Sequence, residues 1–294
     1  METNKVSNPI IEKHTSTFQT SHFHVGCSAM QGWRKTMEDS HVAHLTVGGD
    51  KHCAFLGVFD GHAGSKIAKY CSFHLFDELS KTPEFMNGQY EKAFLKTFES
   101  FDTKVCNSTE LRYEGGTTAN CVFINKHEIF CANTGDCRAV LYRGNRTVPL
   151  SVDHKPSDPV ETERILNGGG TLKNNRVNGT LAVSRAIGDF ELKDNKEKAW
   201  DQQIVTALPD ITKTEITTDD AFIVVGSDGI WEVLGNDACC DFINSSFAEC
   251  NDDIGLVCEK VLQKCLAPKP SDFVGIDNMT IIIAKFMPEF FKNV

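Results

Sequence analysis

The sequence predicts an α+β fold in which antiparallel sheets lie inside and helices are segregated outside them. The order of the predicted elements favours this fold class, and length and composition indicate a soluble globular protein. The chain of 294 residues is long enough to bury a sizeable core. Its strand-like and helix-like stretches come in blocks that do not alternate as they would in a parallel sheet. Hydrophobic residues make up 40% of the chain and charged residues 24%, the ordinary balance of a soluble globular protein.

The spacing of apolar residues predicts the individual elements. A strand-length run begins at Ser40, and residues 53–59 are almost continuously apolar. Apolar residues then repeat at intervals of three and four over residues 67–79 and 90–105, which predicts two helices. The second half continues with a helix over residues 254–266 and with strands over residues 118–124, 128–132, 138–142, 221–226 and 279–286.

The domain organisation follows from composition. Residues 1–21 are polar and rich in Ser and Thr, so we expect a flexible N-terminal arm. We expect a single domain over residues 22–286 and a short C-terminal tail over 287–294. Within the domain, residues 155–201 have weak periodicity and many charges, which predicts a helix and a mobile flap beside a site.

Charge and cysteine usage exclude several classes of function. The net charge is −10 and there is no block of five basic residues, so we expect no nucleic-acid partner. No apolar run approaches the roughly 18–20 residues that span a bilayer, and no secretory signal opens the chain. The 12 cysteines form no Cys-x-x-Cys pair and no zinc-binding spacing. This cysteine usage favours a reducing compartment, the cytoplasm, the nucleus or both. The small size and the lack of an extra domain favour a monomer.

Acidic residues stand at the ends of the predicted strands. Glu38 and Asp39 precede one strand, Asp60 and Asp228 follow two others, and Asp277 precedes the last. In antiparallel neighbours the end of one strand lies beside the start of the next, so these acids can converge on one rim of a sheet. Such a cluster would repel itself without a cation, and oxygen ligands favour Mg²⁺, Mn²⁺ or Ca²⁺. The alternative is that each Asp-Gly pair is ordinary turn chemistry.

Three neighbouring residues extend this hypothesis. Gly61 allows its backbone carbonyl to approach an ion closely. Arg34 stands four residues before Glu38 and could grip a phosphate bidentately, although a surface salt bridge is an equal alternative. His62 could donate a proton to a leaving group, or it could merely pack locally.

With these residues in view, the sequence resembles the protein phosphatase 2C family from about residue 22 to residue 286. Eight blocks in the family's order carry the resemblance. They are GWRKTMED at 32–39, VFDGHAG at 58–64, GTTA at 116–119, NTGDCR at 133–138, DHKP at 153–156, VNGTLAVSRAIGD at 177–189, SDGIWE at 227–232 and DNMT at 277–280.

The resemblance implies a fold, an activity and a cofactor. The implied fold is a sandwich of two antiparallel sheets flanked by antiparallel helix pairs. The implied activity is hydrolysis of phosphoserine and phosphothreonine in proteins by a water that bridges two Mg²⁺ or Mn²⁺ ions. The implied partners are therefore phosphorylated proteins.

The resemblance also assigns metal ligands. Asp60 would bridge the two ions, and Glu38 with the carbonyl of Gly61 would complete one set of protein ligands. Asp228 and Asp277 would complete the other set.

Further roles follow from the same resemblance. Arg34 would hold the phosphate, His62 would act as the acid, and Asp39 would orient metal-bound water. Arg185, beside the flap, is a candidate substrate contact.

A weaker third ion is implied beside Asp228, with Asp153 as a ligand. Glu232 stands where the family usually has Asp, which puts this third site in doubt but not the other two. The alternative role of Glu232 is that of an acid at a helix start.

Two rival functions come from other classes. A catalytically dead relative that serves as a binding module should have lost acids, yet Asp60, Asp228 and Asp277 are all present. A two-metal nuclease or phosphodiesterase should carry basic residues for a polyanion, and the charge balance opposes that.

Overall fold

Two antiparallel sheets form the centre of the structure, a computed structural model that describes residues 5–292. The first sheet has six strands in the order β1 (Lys5–Gln19), β2 (Phe23–Arg34), β16 (Met279–Phe286), β15 (Asp220–Gly226), β9 (Arg138–Arg143) and β10 (Arg146–Pro149). The second has five strands in the order β14 (Asp210–Glu215), β8 (Glu128–Thr134), β7 (Ala119–Ile124), β4 (Ala54–Phe59) and β3 (Ser40–Leu45).

Two smaller sheets lie outside this centre. One has three two-residue strands in the order β13 (Ile187–Gly188), β6 (Gly116–Thr117) and β5 (Gly61–His62). The other pairs β11 (Leu172–Lys173) with β12 (Arg176–Val177). The three-stranded sheet joins the segment over residues 187–188 to the turn formed by Asp60, Gly61 and His62.

Helices cover the outer faces of both central sheets. The five-stranded sheet packs against α1 (Lys66–Ser80), α2 (Pro83–Met86) and α3 (Tyr90–Cys106). The six-stranded sheet packs against α5 (Asp228–Trp231), α6 (Asn236–Glu249) and α7 (Ile254–Cys265). The predicted α+β sandwich flanked by helices is confirmed.

Strand β16 packs against the second central sheet on one face and against helices on the other. Side chains alternate across a strand, so successive residues face opposite sides of the sheet. Ile282 packs between the two central sheets, whereas Ile281 and Ile283 pack against the helices on the other face. A strand buried on both faces has no polar side, which is why residues 279–286 are mostly apolar.

The predicted flexible N-terminal arm is wrong for residues 5–19. This segment forms β1, which pairs antiparallel with β2 from Gln19↔His24 to Lys5↔Arg34. Most side chains of β1 are exposed, so backbone hydrogen bonds rather than burial hold the strand in the sheet. For the same reason its sequence lacks the apolar pattern that would predict a strand. Residues 1–4 lie outside the described residues.

The C-terminal segment also contacts the core. A 3₁₀ turn over Pro288–Phe291 places Phe290 in full burial, with its ring 5.2 Å from that of Phe23 and 5.0 Å from that of Phe286. Across residues 5–292, none of the helices has the length and apolar character needed to cross a membrane.

Helix α4 (Pro159–Asn167) lies in the predicted flap and is fixed by a buried carboxylate. The side chain of Glu161 is only 3% exposed. It accepts hydrogen bonds from Arg185 Nη2 at 2.6 Å, Ser184 Oγ at 2.6 Å and Arg164 Nη1 at 2.5 Å. Glu161 therefore joins α4 to residues 184–185, on the segment that leads into β13.

We expect the stability of the protein to depend on pH through Glu161. Burial alone would raise the pKa of this carboxyl group. The hydrogen bond from Arg185 and the charges of Arg164 and Arg185 outweigh burial and lower the pKa to about 2. A group with a depressed folded pKa stabilises the fold above its unfolded pKa, near 4.5, and loses that contribution as the pH falls through the folded value. The free energy of unfolding should therefore lose on the order of 3 kcal/mol from this group between about pH 4.5 and 2.

Urea unfolding of wild type and Glu161→Gln from about pH 7 downward measures this contribution. The variant should be less stable at neutral pH and should lose less stability on acidification. Glu163→Gln is the matched control, because Glu163 lies exposed on the same helix. Equal pH slopes for wild type and Glu161→Gln would contradict the expectation.

Candidate active site

The acidic residues singled out by the sequence lie where the two central sheets meet. Asp60 directly follows β4, Asp228 begins α5 just after β15, and Asp277 lies two residues before β16. Glu38 and Asp39 lie between β2 and β3. We call these five residues the carboxylate rim.

Hydrogen bonds join the parts of the rim across the two sheets. Ser227 Oγ donates to Asp39 Oδ2 at 2.8 Å, and the backbone N–H of Ser227 donates to Thr280 O at 3.0 Å. The backbone N–H of Glu38 donates to Asn278 Oδ1 at 2.9 Å. These bonds hold the segments before β3, after β15 and before β16 side by side, as the strand-end argument predicted.

The rim carboxylates are close enough to repel one another. Burial, followed by the charges of Asp228 and Asp39, raises the pKa of Asp60 well above its usual range. Burial, followed by the charges of Asp136 and Asp277, does the same to the pKa of Asp228. Charged together without a cation, these groups destabilise the fold.

Asp39 is the rim acid that accepts a hydrogen bond from the strand-end residue Ser227. Burial raises its pKa to about 7, although hydrogen bonds with Thr280 and Ser227 oppose the increase. Its side chain is only 6% exposed. Its charge contributes to the raised pKa of Asp60, and its role in orienting metal-bound water stays a prediction.

The rim fits a hard divalent cation in its donor atoms. Asp228 Oδ1 is buried and has no hydrogen-bond partner among the described residues, so this oxygen is available for an ion. A Cβ added to Gly61 would lie 2.5 Å from the backbone oxygen of Glu38, so only glycine allows these two backbone segments to approach. Carboxylate and carbonyl oxygens are the ligands that Mg²⁺ and Mn²⁺ prefer.

Protein donors occupy two of the predicted ligands. Arg34 Nη2 forms an ion pair with Asp277 Oδ2, and Thr36 Oγ1 donates to Glu38 Oε1 at 2.9 Å. Within residues 5–292, no three acidic, His or Cys side chains are arranged as a complete metal-binding group. A cation at these two carboxylates would compete with the donors for the bonded oxygens, and the two-ion ligand set stays a prediction.

His62 has a partner that the sequence analysis missed. His62 Nε2 lies 2.7 Å from Asp189 Oδ2. Burial lowers the pKa of His62, but the charge and hydrogen bond of Asp189 outweigh it and raise the pKa overall. Asp189 therefore favours the protonated imidazole, whose Nδ1–H can serve as a donor. The only sequence signal was that Asp189 ends the longest block of the family resemblance.

The contact between His62 and Asp189 depends on a glycine. A Cβ added to Gly116 would lie 2.3 Å from Asp189 Oδ2 and 2.7 Å from His62 Nε2. Asp189 itself adopts left-handed backbone angles, φ 53° and ψ 46°. Strain of this kind persists where surrounding contacts fix the conformation, and it is frequent at functional sites.

The proposed third ion would compete with an existing ion pair. Arg138 Nε and Nη2 donate to the two oxygens of Asp153 at 2.9 and 2.8 Å. Glu232 ends the short helix that Asp228 begins and is near enough to contribute to the raised pKa of Asp228. Both residues lie beside the rim, and their role as ligands stays a prediction.

The structure contradicts the predicted substrate contact of Arg185. Only 6% of this residue is exposed, and its guanidinium faces the interior. It donates to Glu161, to the backbone oxygen of Leu208 at 3.1 Å and to Asp210 Oδ1 at 2.7 Å. Arg185 thus fixes the base of the flap, and its position in a motif beside the site concealed that structural role.

Comparisons with known proteins agree with the fold. A family model described as protein phosphatase 2C matches residues 23–274. A probable protein phosphatase 2C of Caenorhabditis elegans is 40% identical over 280 residues, covering 95% of this chain and 78% of the relative. Protein phosphatase 2C homolog 2 of Schizosaccharomyces pombe is 39% identical over 289 residues, covering 96% and 78%.

Solved structures share the architecture. The crystal structure of a phosphatase from Toxoplasma gondii superposes with a TM-score of 0.82 and covers 94% of this chain and 96% of its own. Sequence identity with it is 22%, so this likeness concerns the fold alone.

We expect Asp228→Asn to stabilise the protein in the presence of a chelator. The amide removes one buried negative charge from a cluster that repels itself, as is common where function and stability conflict. The melting temperature should rise by a few degrees, since 1 kcal/mol corresponds to roughly 2–4 °C in a domain of this size range.

Thermal unfolding with chelator and with millimolar Mg²⁺ measures the effect. Wild type should gain stability from Mg²⁺, and the variant should gain less. Asp219→Asn is the control, because Asp219 is exposed beside the opposite end of β15. A lower melting temperature for Asp228→Asn in chelator would show that repulsion does not dominate at the rim.

Proposed function

The chain belongs to the protein phosphatase 2C family, and from that premise we propose that it removes phosphate from serine and threonine side chains of proteins at the carboxylate rim. One observation carries the proposal. The buried, mutually repelling carboxylates of the rim adjoin a histidine whose carboxylate partner favours the protonated form. This arrangement combines ligands for cations with a donor for a leaving group.

The rim would hold two Mg²⁺ or Mn²⁺ ions. Asp60 would contact both, Glu38 and the Gly61 carbonyl would complete one ligand set, and Asp228 and Asp277 the other. When bound, such ions supply an acidified water as nucleophile and positive charge for the phosphoryl oxygens. A weaker third ion beside Asp153 and Glu232 is part of the same proposal.

Arg34 would release the carboxylate of Asp277 and bind the phosphate of the substrate. In the described structure its guanidinium bonds to Asp277, with the side chain about one third exposed. A guanidinium matches a phosphate dianion bidentately, and Arg34 lies at the solvent side of the rim where a phosphoprotein can approach. It would thereby orient the phosphoryl group and spread its charge in the transition state.

His62 would supply a proton to the departing serine or threonine oxygen. Nε2 faces Asp189, and Nδ1 has no hydrogen-bond partner within residues 5–292, so Nδ1–H of the protonated ring is available as the donor. An alkoxide is a poor leaving group, and a positioned acid accelerates its departure by roughly 10²–10⁴-fold.

We expect hydrolysis of a phosphothreonine peptide to stop when the protein is dialysed against a chelator. Millimolar Mg²⁺ or Mn²⁺ should restore it, because the rim offers no protein nucleophile. Asp60→Asn should lower kcat at least ~10³-fold in restored samples, since this residue would serve both ions.

The same assay distinguishes the rival functions. Full activity in the metal-free sample contradicts the proposed mechanism. A binding module would show no turnover under any condition, and a nuclease would cleave a phosphodiester in preference to the peptide.

We expect His62→Gln to affect poor leaving groups selectively. Nitrophenolate departs without a proton, so activity on nitrophenyl phosphate should fall far less than activity on phosphothreonine, for which the loss should be roughly 10²-fold or more. Paired steady-state kinetics on the two substrates provide the measurement. His74→Gln, exposed on α1, is the control, and equal losses on both substrates would assign His62 a structural role.

A further inference from the structure

A buried ion pair lies behind the contact between His62 and Asp189. Asp102, on α3, is only 8% exposed. Its two oxygens accept hydrogen bonds from Lys193 Nζ, both at 2.9 Å, and Oδ1 also accepts from the backbone N–H of Gly188 at 2.8 Å. Lys193 Nζ donates in addition to Ala186 O at 2.8 Å.

These bonds close the chain segment over residues 186–193 into a loop. Its first residue, Ala186, and its last, Lys193, meet at the ammonium group of Lys193, and the carboxylate of Asp102 holds that group from outside. Asp189 lies in the middle of the loop, immediately after the residue whose N–H Asp102 binds. The pair therefore fixes both sides of Asp189.

The loop is joined to His62 by a sheet with little stability of its own. Gly188 pairs with Gly116, and Gly116 pairs with His62 on its other side. Each strand of this sheet has two residues, far fewer than the usual five or six. Contacts outside the sheet must hold Asp189 in its left-handed conformation, and the N–H of Asp189 contributes one, to Gly115 O at 3.0 Å.

A buried ion pair is a poor source of stability, since apolar residues of similar volume often stabilise a core as well or better. A buried ion pair can instead fix the orientation of the groups bonded to it, because a carboxylate accepts several hydrogen bonds at defined angles. Here those bonds end on the backbone next to Asp189.

We propose that Asp102 and Lys193 are positioning residues for catalysis: they hold Asp189 in the orientation in which it directs the His62 imidazole toward the leaving group. The inference rests on the proposed acid role of His62. It gives the pair no contact with substrate or metal.

The test compares Asp102→Asn with His62→Gln on the phosphothreonine peptide and on nitrophenyl phosphate. Asparagine keeps the shape of Asp102 but removes the charge that binds Lys193. We expect a loss in kcat of roughly 10–100-fold on the peptide, smaller than full loss of the acid. We expect less than about 3-fold on nitrophenyl phosphate, and no further loss when Asp102→Asn is added to His62→Gln, since both changes act on one function.

Asp220→Asn is the matched control. Asp220 is 3% exposed and forms an ion pair with Arg143, but it lies at the start of β15, at the opposite end of the strand from Asp228. Its loss should lower the melting temperature comparably while changing the two activities equally. A readout independent of activity is the side-chain ¹H–¹⁵N NMR signal of His62 Nε2, which should shift in Asp102→Asn and not in Asp220→Asn.

Each result decides between distinct conclusions. Equal losses of Asp102→Asn on both substrates, or losses additive with His62→Gln, overturn the positioning role alone. If His62→Gln itself shows no selectivity between leaving groups, the proposed acid role fails and the inference fails with it. If Asp102→Asn does not fold, Lys193→Met carries the same comparison, because it removes the ammonium group and leaves the bond from Gly188 to Asp102.

Discussion

Repulsion among buried carboxylates is the constraint on which the rest of the structure depends. Burial and then the charges of neighbouring carboxylates raise the pKa values of both Asp60 and Asp228. Two sheets packed face to face bring their strand ends to one place, and side chains such as Ser227 and Asn278 bond across the junction. The sandwich is thus a rigid frame that keeps like charges adjacent until a cation arrives.

Basic residues surround the rim without neutralising its centre. Lys155 Nζ donates to Asp136 at 2.5 Å, and Arg138 donates to both oxygens of Asp153. Each pairs with an acid at the edge, whereas Asp228 Oδ1 stays without a partner among the described residues. Arg34 and Arg138 pair with Asp277 and Asp153, so part of the negative charge on the proposed ligands is already compensated.

Most of the fold could be predicted from the sequence because burial imposes a period on apolar residues. The strand over 279–286 and the helix beginning at residue 254 match those patterns closely. Strand β1 could not be predicted, because backbone hydrogen bonds hold it in the sheet and these impose no pattern on the side chains. The rim acids were predicted from their places beside strands, but the roles of Asp189 and Arg185 were not. Their partners lie far away in the sequence, and a polar residue alone does not reveal which way it faces.

Strand β1 also affects the resistance of the protein to aggregation at high concentration. A strand at the edge of a sheet offers unpaired N–H and C=O groups to other chains, and proteins blunt such edges with irregularities and charge. The register of β1 shifts between Lys5 and Ile10 and again between Ile10 and Lys13, which interrupts any continuous template. Behind it, β2 is buried along almost its whole length. Removing the N-terminal segment would expose the unpaired backbone N–H and C=O groups of β2 as a new edge and invite aggregation.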